Sequence, residues 1–123
     1  MFHAAIPVIK VRSSVAALEF YGHGLGFALV SSWRPDETRE DPCYMTLARD
    51  GARLHVHSFS GGVSGNTAVY LSVDDVDALH AELSSKGLPV SDPLDQTWGM
   101  REIGVRDADG NAMTFGQRIE AAK

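Results

Sequence analysis

Cysteine is almost missing from this 123-residue chain: Cys43 stands alone, so no disulfide can form within it and a reducing cytoplasm is the expected compartment. Long apolar runs are lacking as well. None approaches the ~18 residues a membrane-spanning helix needs, which makes a soluble protein the expectation. The first residues, Met1-Phe2-His3-Ala4-Ala5, have neither the basic flank nor the apolar stretch of a secretory signal. Lys and Arg number eleven, are scattered, and leave a net charge of −5. That argues against a nucleic-acid surface, because phosphate recognition requires clustered positive charge. A cationic partner is permitted by this balance but not required. No serine lies in a nucleophile-elbow pattern, and Cys43 follows Asp41-Pro42 with no adjacent histidine, so Cys43 reads as structural.

What is present fits one domain with a real core. Residues 5 to 11 read as a strand, and Pro7 confines it to an edge or the start of a sheet. Ser13 or Ser14 can cap a helix carrying Ala17, Leu18 and Tyr21 on one face, ended by Gly22, Gly24 and Gly26. Strands are expected over Phe27 to Trp33, Cys43 to Ala48 and Arg53 to Phe59, the last two joined at Asp50-Gly51. Residues 60 to 66 form a Gly- and Ser-rich connector. The order then returns: a strand over Thr67 to Val73, a helix capped by Asp75 and stopped by Gly87, and a less regular stretch carrying Pro89 and Pro93. A strand over Met100 to Arg106, a turn over Asp107 to Asn111 and a last strand to Gln117 complete it.

These elements imply an internal duplication of an α+β unit of order βαβββ. Its first module spans 1–59 and its second 67–123, with 60–66 between them. Val11 and Val73 each end a first strand and lie 62 residues apart, while the hairpin glycines Gly51 and Gly110 lie 59 apart.

Pro7-Val8-Ile9-Lys10-Val11-Arg12, then Leu18-Glu19-Phe20-Tyr21 and Leu25-Gly26-Phe27, resemble the opening of the glyoxalase/bleomycin-resistance superfamily, the vicinal oxygen chelate proteins. The segment from Gln96 to Asn111 resembles the bleomycin-resistance branch more narrowly. The resemblance covers nearly the whole chain. It implies paired βαβββ modules whose mixed sheets curl around a cleft, with Gln96 to Phe115 as one wall. It also implies a homodimer, in which the first strand is often exchanged.

Metal-using members of that family place His or Glu on the first and last strand of each module, so that a divalent cation can hold two substrate oxygens. Counting back five residues from Val11 and Val73 gives Ile6 and Ala68, and setting Gly51 over Gly110 pairs His55 with Thr114. Only His55 of the four can ligate, so no cofactor is expected. His57, two residues on and facing the same side, leaves a divalent metal at His55 and His57 as the alternative. The acidic loop of Asp36, Glu37, Glu40 and Asp41 reads as solvated, with a cation-attracting rim as its alternative.

Trp33 and Trp98 stand at element edges, where rings stack on flat ligands and attract cations. Trp98 occupies a position of the family motif. The expected ligand-binding set is Trp98, Trp33, His55, His57, Phe59, Arg101 and Thr114, with no catalytic residue, whereas Phe20, Tyr21, Phe27 and Phe115 read as core. The expected function is bleomycin-resistance-like sequestration of a small aromatic or cationic compound. The alternative is a metal-dependent lyase, isomerase or dioxygenase of the same superfamily.

Overall fold

The protein is described here by a computed structural model covering residues 1–61 and 64–119. The expected connector lies partly outside the described residues, at Gly62 and Val63, as does the end of the second module beyond Ile119. Two four-stranded mixed sheets, each with a helical segment, make up the α+β fold. The chain divides into two compact units: Met1–Thr67 with Asp107–Asn111, and Ala68–Arg106 with the chain from Ala112 onward.

In unit 1 the strands are β1 (Val8–Lys10), β2 (Ala28–Trp33), β3 (Tyr44–Arg49) and β4 (Ala52–His57), in sheet order β1-β4-β3-β2. β1 is shorter than the expected 5–11 yet sits at the sheet edge, as Pro7 requires. Its pairing reaches past its ends, since the Pro7 carbonyl accepts from the His55 N–H at 3.0 Å and the Val11 N–H donates to His57 O at 2.9 Å. β1 runs parallel to β4, placing Val8 beside His55 and Lys10 beside His57. The Asp50-Gly51 hairpin forms as expected, with Asp50 at φ +50°.

Ser13 caps the helix α1 (Ser14–Ala17) by accepting from the Ala16 N–H at 3.1 Å. Over Leu18–Gly24 the turns widen to a π-helix, ending with a Leu25 N–H bond to Phe20 O, five residues back. Apolar spacing carries no signal for that widening. Alternate strand residues Met45, Leu47, Leu54 and Val56 are buried, with Ile9, Tyr21 and Leu25, and Cys43 is buried beside them. Tyr21, Phe27 and Phe115 are buried as expected, and Phe20 is half-buried.

Unit 1 also holds the turn Asp107–Asn111, and a buried carboxylate secures it there. The Tyr21 hydroxyl and the Asn111 side-chain amide donate to Asp107 Oδ2, each at 2.8 Å. The N–H groups of Asp109 and Asn111 donate to Oδ1 at 2.9 and 2.8 Å. Asn111, fully buried, also donates to Lys10 O at 3.1 Å and accepts from the Thr67 N–H at 3.0 Å. Four donors replace the water this charge has lost. Burial and the bond to Asp107 push the Tyr21 phenol far above its ordinary range, so it stays a donor at every working pH. Gly65, at φ +82°, passes so close to the Asp109 carbonyl that a Cβ there would collide with it.

Unit 2 repeats the pattern with β5 (Ala68–Ser72), β6 (Leu94–Asp95), β7 (Met100–Arg106) and β8 (Ala112–Arg118), in order β5-β8-β7-β6. β6 is a strand of two residues inside the stretch expected to be irregular, where Pro93 limits backbone pairing. Helix α2 (Val76–Ser85) is capped by Asp75, which accepts from the Ala78 N–H at 3.0 Å. It ends at Lys86 before Gly87 with φ +80°. Val8 and Tyr70 pair with His55 and Thr114 in their respective sheets, and in each sheet the first strand runs parallel to the last.

Replacing the Asp107 carboxylate leaves buried donors unmatched. Asp107→Ala is expected to lower unfolding stability by about 3 kcal/mol, and Tyr21→Phe by about 1 kcal/mol. Urea unfolding with an unchanged m-value checks both, and equal midpoints for wild type and Asp107→Ala would contradict the assignment.

Candidate functional site

Strand alternation decides which side chains each sheet presents. In β4, Leu54 and Val56 are buried on the helix side, so His55 and His57 point the other way, and Phe59 continues the series. In β3, Tyr44 and Thr46 alternate with buried Met45 and Leu47 in the same sense. Cross-strand pairing puts Trp33 next to Tyr44 and Tyr44 next to His57. One face of unit 1 thus carries Trp33, Tyr44, His55, His57 and Phe59 together.

The rings form an ordered series. Trp33 and Phe59 stack with centroids 5.7 Å apart and planes 4° from parallel, and Tyr44 stacks on His57 at 5.5 Å and 6°. His57 lies 6.2 Å from Phe59, joining the two stacks, and Tyr44 meets the His55 ring edge-on at 5.4 Å. Trp33 is 60% exposed, so its outer surface is open to a further flat ring. Tyr44 was not singled out from sequence, although the Asp50-Gly51 hairpin register alone sets it opposite His57.

Hydrogen bonds fix the imidazoles. His55 Nδ1 lies 2.9 Å from the Tyr44 hydroxyl, and His57 Nδ1 accepts from the Phe59 N–H at 3.2 Å, which puts the proton of the neutral His57 ring on Nε2. Partial burial, and then the nearby Lys10 charge, lower the His57 pKa from 6.5 and favour that neutral form.

Unit 2 presents a different surface. Glu102 and Thr114 lie on the sheet face turned away from the buried Ile103, Met113 and Phe115. Tyr70 neighbours Thr114, and its ring lies directly over Gly116, where a Cβ would collide with it. From there its hydroxyl donates to Glu102 Oε2 at 2.8 Å, and Trp98 Nε1 donates to the same oxygen at 3.3 Å. Burial and this bond raise the Tyr70 pKa above 10. Arg101, expected among the ligand-binding residues, faces the opposite side of β7. Its guanidinium donates to Asp77 at 3.0 and 3.1 Å and to Asp95 at 2.7 Å. A strand alternates faces at every residue, so Arg101 and Glu102 cannot share one.

Four of the seven expected residues, Trp33, His55, His57 and Phe59, therefore gather on unit 1, Trp98 and Thr114 lie on unit 2, and Arg101 is turned to α2. Strand register sets Val8 beside His55 and Tyr70 beside Thr114, two residues along from Ile6 and Ala68. These positions supply a single imidazole, so the side chains do not fit a four-ligand site. Among the described residues no group of three His, Cys, Asp or Glu side chains gathers around His55 and His57. The acidic loop turns one member inward. Asp41 accepts from the Ser14 N–H at 2.9 Å and from the Ser58 hydroxyl, and although partial burial opposes it, these bonds hold its pKa below the ordinary value. The remaining histidines lie apart: His3 is exposed, His23 contacts Glu19 at 2.6 Å and His80 lies 3.7 Å from Asp92. No helix among the described residues is long and apolar enough to cross a membrane.

A family model described as Glyoxalase superfamily protein matches residues 1–122. A bleomycin resistance protein of Geobacillus stearothermophilus is 23% identical, covering 95% of this chain and 98% of its own. The crystal structure of TnmS3, an antibiotic binding protein from Streptomyces sp. CB03234, shares 28% identity with a TM-score of 0.73, over 96% of this chain and 98% of that one. A bleomycin-binding protein crystallised with bleomycin has a TM-score of 0.74 at 22% identity, over 95% and 99% of the two chains.

The depressed His57 pKa has a consequence for stability. Below pH 6.5 the unfolded chain takes up a proton at this ring before the folded one does, so stability falls as pH drops from 6.5 toward the folded pKa. His57→Gln is expected to flatten the urea-midpoint profile in that window, and a profile identical to wild type would contradict the proton-free His57.

Proposed function

The chain belongs to the glyoxalase superfamily, and from that premise we propose that it sequesters a small aromatic antibiotic of the bleomycin kind, without a metal centre and without chemistry. The paired rings on unit 1 carry this reading. Parallel rings whose centroids lie 5.7 Å apart leave no gap for a third ring between them, so a flat ligand would stack on the exposed outside of Trp33. Such a contact contributes roughly 0.5–1.5 kcal/mol beyond the buried area. Tyr44 and the neutral His57 add hydrogen-bonding edges that orient a ligand without activating it. The curated bleomycin resistance relatives and the antibiotic-binding structural neighbour support the ligand class.

A second reading has one observation in its favour. His55 and His57 sit on one face, and the Tyr44 hydroxyl at His55 Nδ1 leaves His55 Nε2 as a donor for a divalent metal in a superfamily lyase, isomerase or dioxygenase, whereas His57 Nε2 carries the proton of its ring. The donor set at the register positions argues against it. The proposal also includes a cytoplasmic homodimer. The edge strand β2 supports association, because Leu29, Val30 and Trp33 are exposed along it and a bare apolar edge favours pairing.

Titration with bleomycin is expected to quench tryptophan fluorescence, and Trp33→Ala to weaken binding about tenfold. Absence of quenching at high micromolar drug by folded protein overturns the bleomycin assignment. Protein purified without chelator should hold well under one metal per chain, and stoichiometric metal together with catalytic turnover would favour the second reading. Light scattering at micromolar concentration is expected to give twice the 13.3 kDa chain mass.

A further inference from the structure

We infer that Lys10 and His57 form an anion-reading edge on the open face of unit 1, so that the ligand stacked there is an aromatic carboxylic acid. The inference rests on the ring reading above and adds the charge that the ligand carries.

Charge is unevenly distributed along the chain. Although the net charge is −5, none of the 16 acidic residues lies in β1, β2, β3 or β4, whereas Lys10, Arg49 and Arg53 do. Arg49 turns to the helix side and donates to Leu25 O at 2.8 Å. Ile9 and Leu54 are fully buried, so alternation sets Lys10 and Arg53 on the opposite face, with His55 and His57. Two carboxylates of the loop after β2 are committed elsewhere: Asp41 bonds Ser14 at the start of α1, and Asp36 bonds Thr38 within the loop. Glu37 and Glu40 are exposed on that loop.

Register brings the parts of the site into one row. Lys10 pairs with His57, His57 with Tyr44 and Tyr44 with Trp33, so the row crosses all four strands. Three strand spacings of ~4.8 Å make it ~14 Å long, which suits an acid of two or three fused rings. At its Lys10 end His57 offers a donor. Nδ1 is taken by the Phe59 N–H, while Nε2 keeps its proton and has no hydrogen-bond partner among the described residues. An imidazole N–H beside an ammonium favours a carboxylate, since the N–H donates to one oxygen and the ammonium supplies the charge. After burial, the Lys10 charge is what lowers the His57 pKa, which puts the two groups within electrostatic reach of each other. A cation meets repulsion there from Lys10 and Arg53, and an inorganic anion gains nothing from the rings.

The probes are 2-naphthoate and its neutral match 2-naphthamide, titrated into the full chain. Both are followed by the Trp33 indole N–H signal in a nitrogen–proton NMR spectrum, assigned with Trp98→Phe. Naphthoate is expected to bind roughly threefold to fivefold tighter, by a margin that shrinks at high salt. Lys10→Gln should bring naphthoate to the affinity of the amide, and Lys10→Arg should keep the advantage. Arg118→Gln removes an equal charge from unit 2 and should leave the advantage intact. His57→Phe keeps a ring beside Tyr44 and should narrow it, and an unchanged advantage there overturns the part given to His57. Equal affinities in the wild type, or an advantage that survives Lys10→Gln or vanishes in Arg118→Gln, overturns the acid assignment while a Trp33 signal responding to both probes upholds the ring reading. A Trp33 signal that moves with neither probe overturns both.

Discussion

A carboxylate withdrawn from water sets the terms for much of unit 1. Asp107 is tolerable only because four donors from three sources converge on it: a helix side chain, two turn amides and the buried Asn111 side-chain amide. Tyr21 must be held deep by the π-helical turns, and the turn must fold tightly enough to aim two N–H groups at one oxygen. Asn111 in turn bonds the backbone at Lys10, which ends β1, and at Thr67, just before β5. A single carboxylate thereby couples the helix, the edge strand and the turn between β7 and β8.

The two units carry sheets of the same strand order and different chemistry. Equivalent register positions hold His55 in one unit and Thr114 in the other, beside Val8 and Tyr70. Unit 1 fills its face with stacked rings and imidazoles, near the positive charge of Lys10. Unit 2 places a carboxylate among exposed apolar side chains. The proposed binding role follows from these surfaces rather than from the fold, which hosts many chemistries.

Much of the scaffold was legible from residues alone, because its signals are local. Ser13 and Asp75 cap helices, Asp50-Gly51 turns a hairpin, and Pro7 marks an edge. β6 was not, since two residues after a proline carry no periodic pattern. The site was legible in part: alternation along β4 groups His55, His57 and Phe59 once one of them is placed. Tyr44, Tyr70 and Glu102 escaped notice because their importance comes from neighbours on other strands. Arg101, expected in the ligand-binding set, bonds Asp77 and Asp95 from the face of β7 opposite Glu102, and residue type alone does not say which face a side chain takes. The link from Tyr21 to Asp107 spans 86 positions and leaves no mark in a local pattern.

Gly116 has a meaning that its buried, unremarkable place in β8 conceals. A missing side chain there lets a phenol lie flat and cross a whole strand, so the polarity of that face is written partly in a residue that touches no ligand. Among related chains, a methyl group at this position would lift the ring away from Glu102 and expose a different surface with every aromatic residue retained. Divergence in what such proteins hold is then to be sought beneath the aromatic side chains as well as in them.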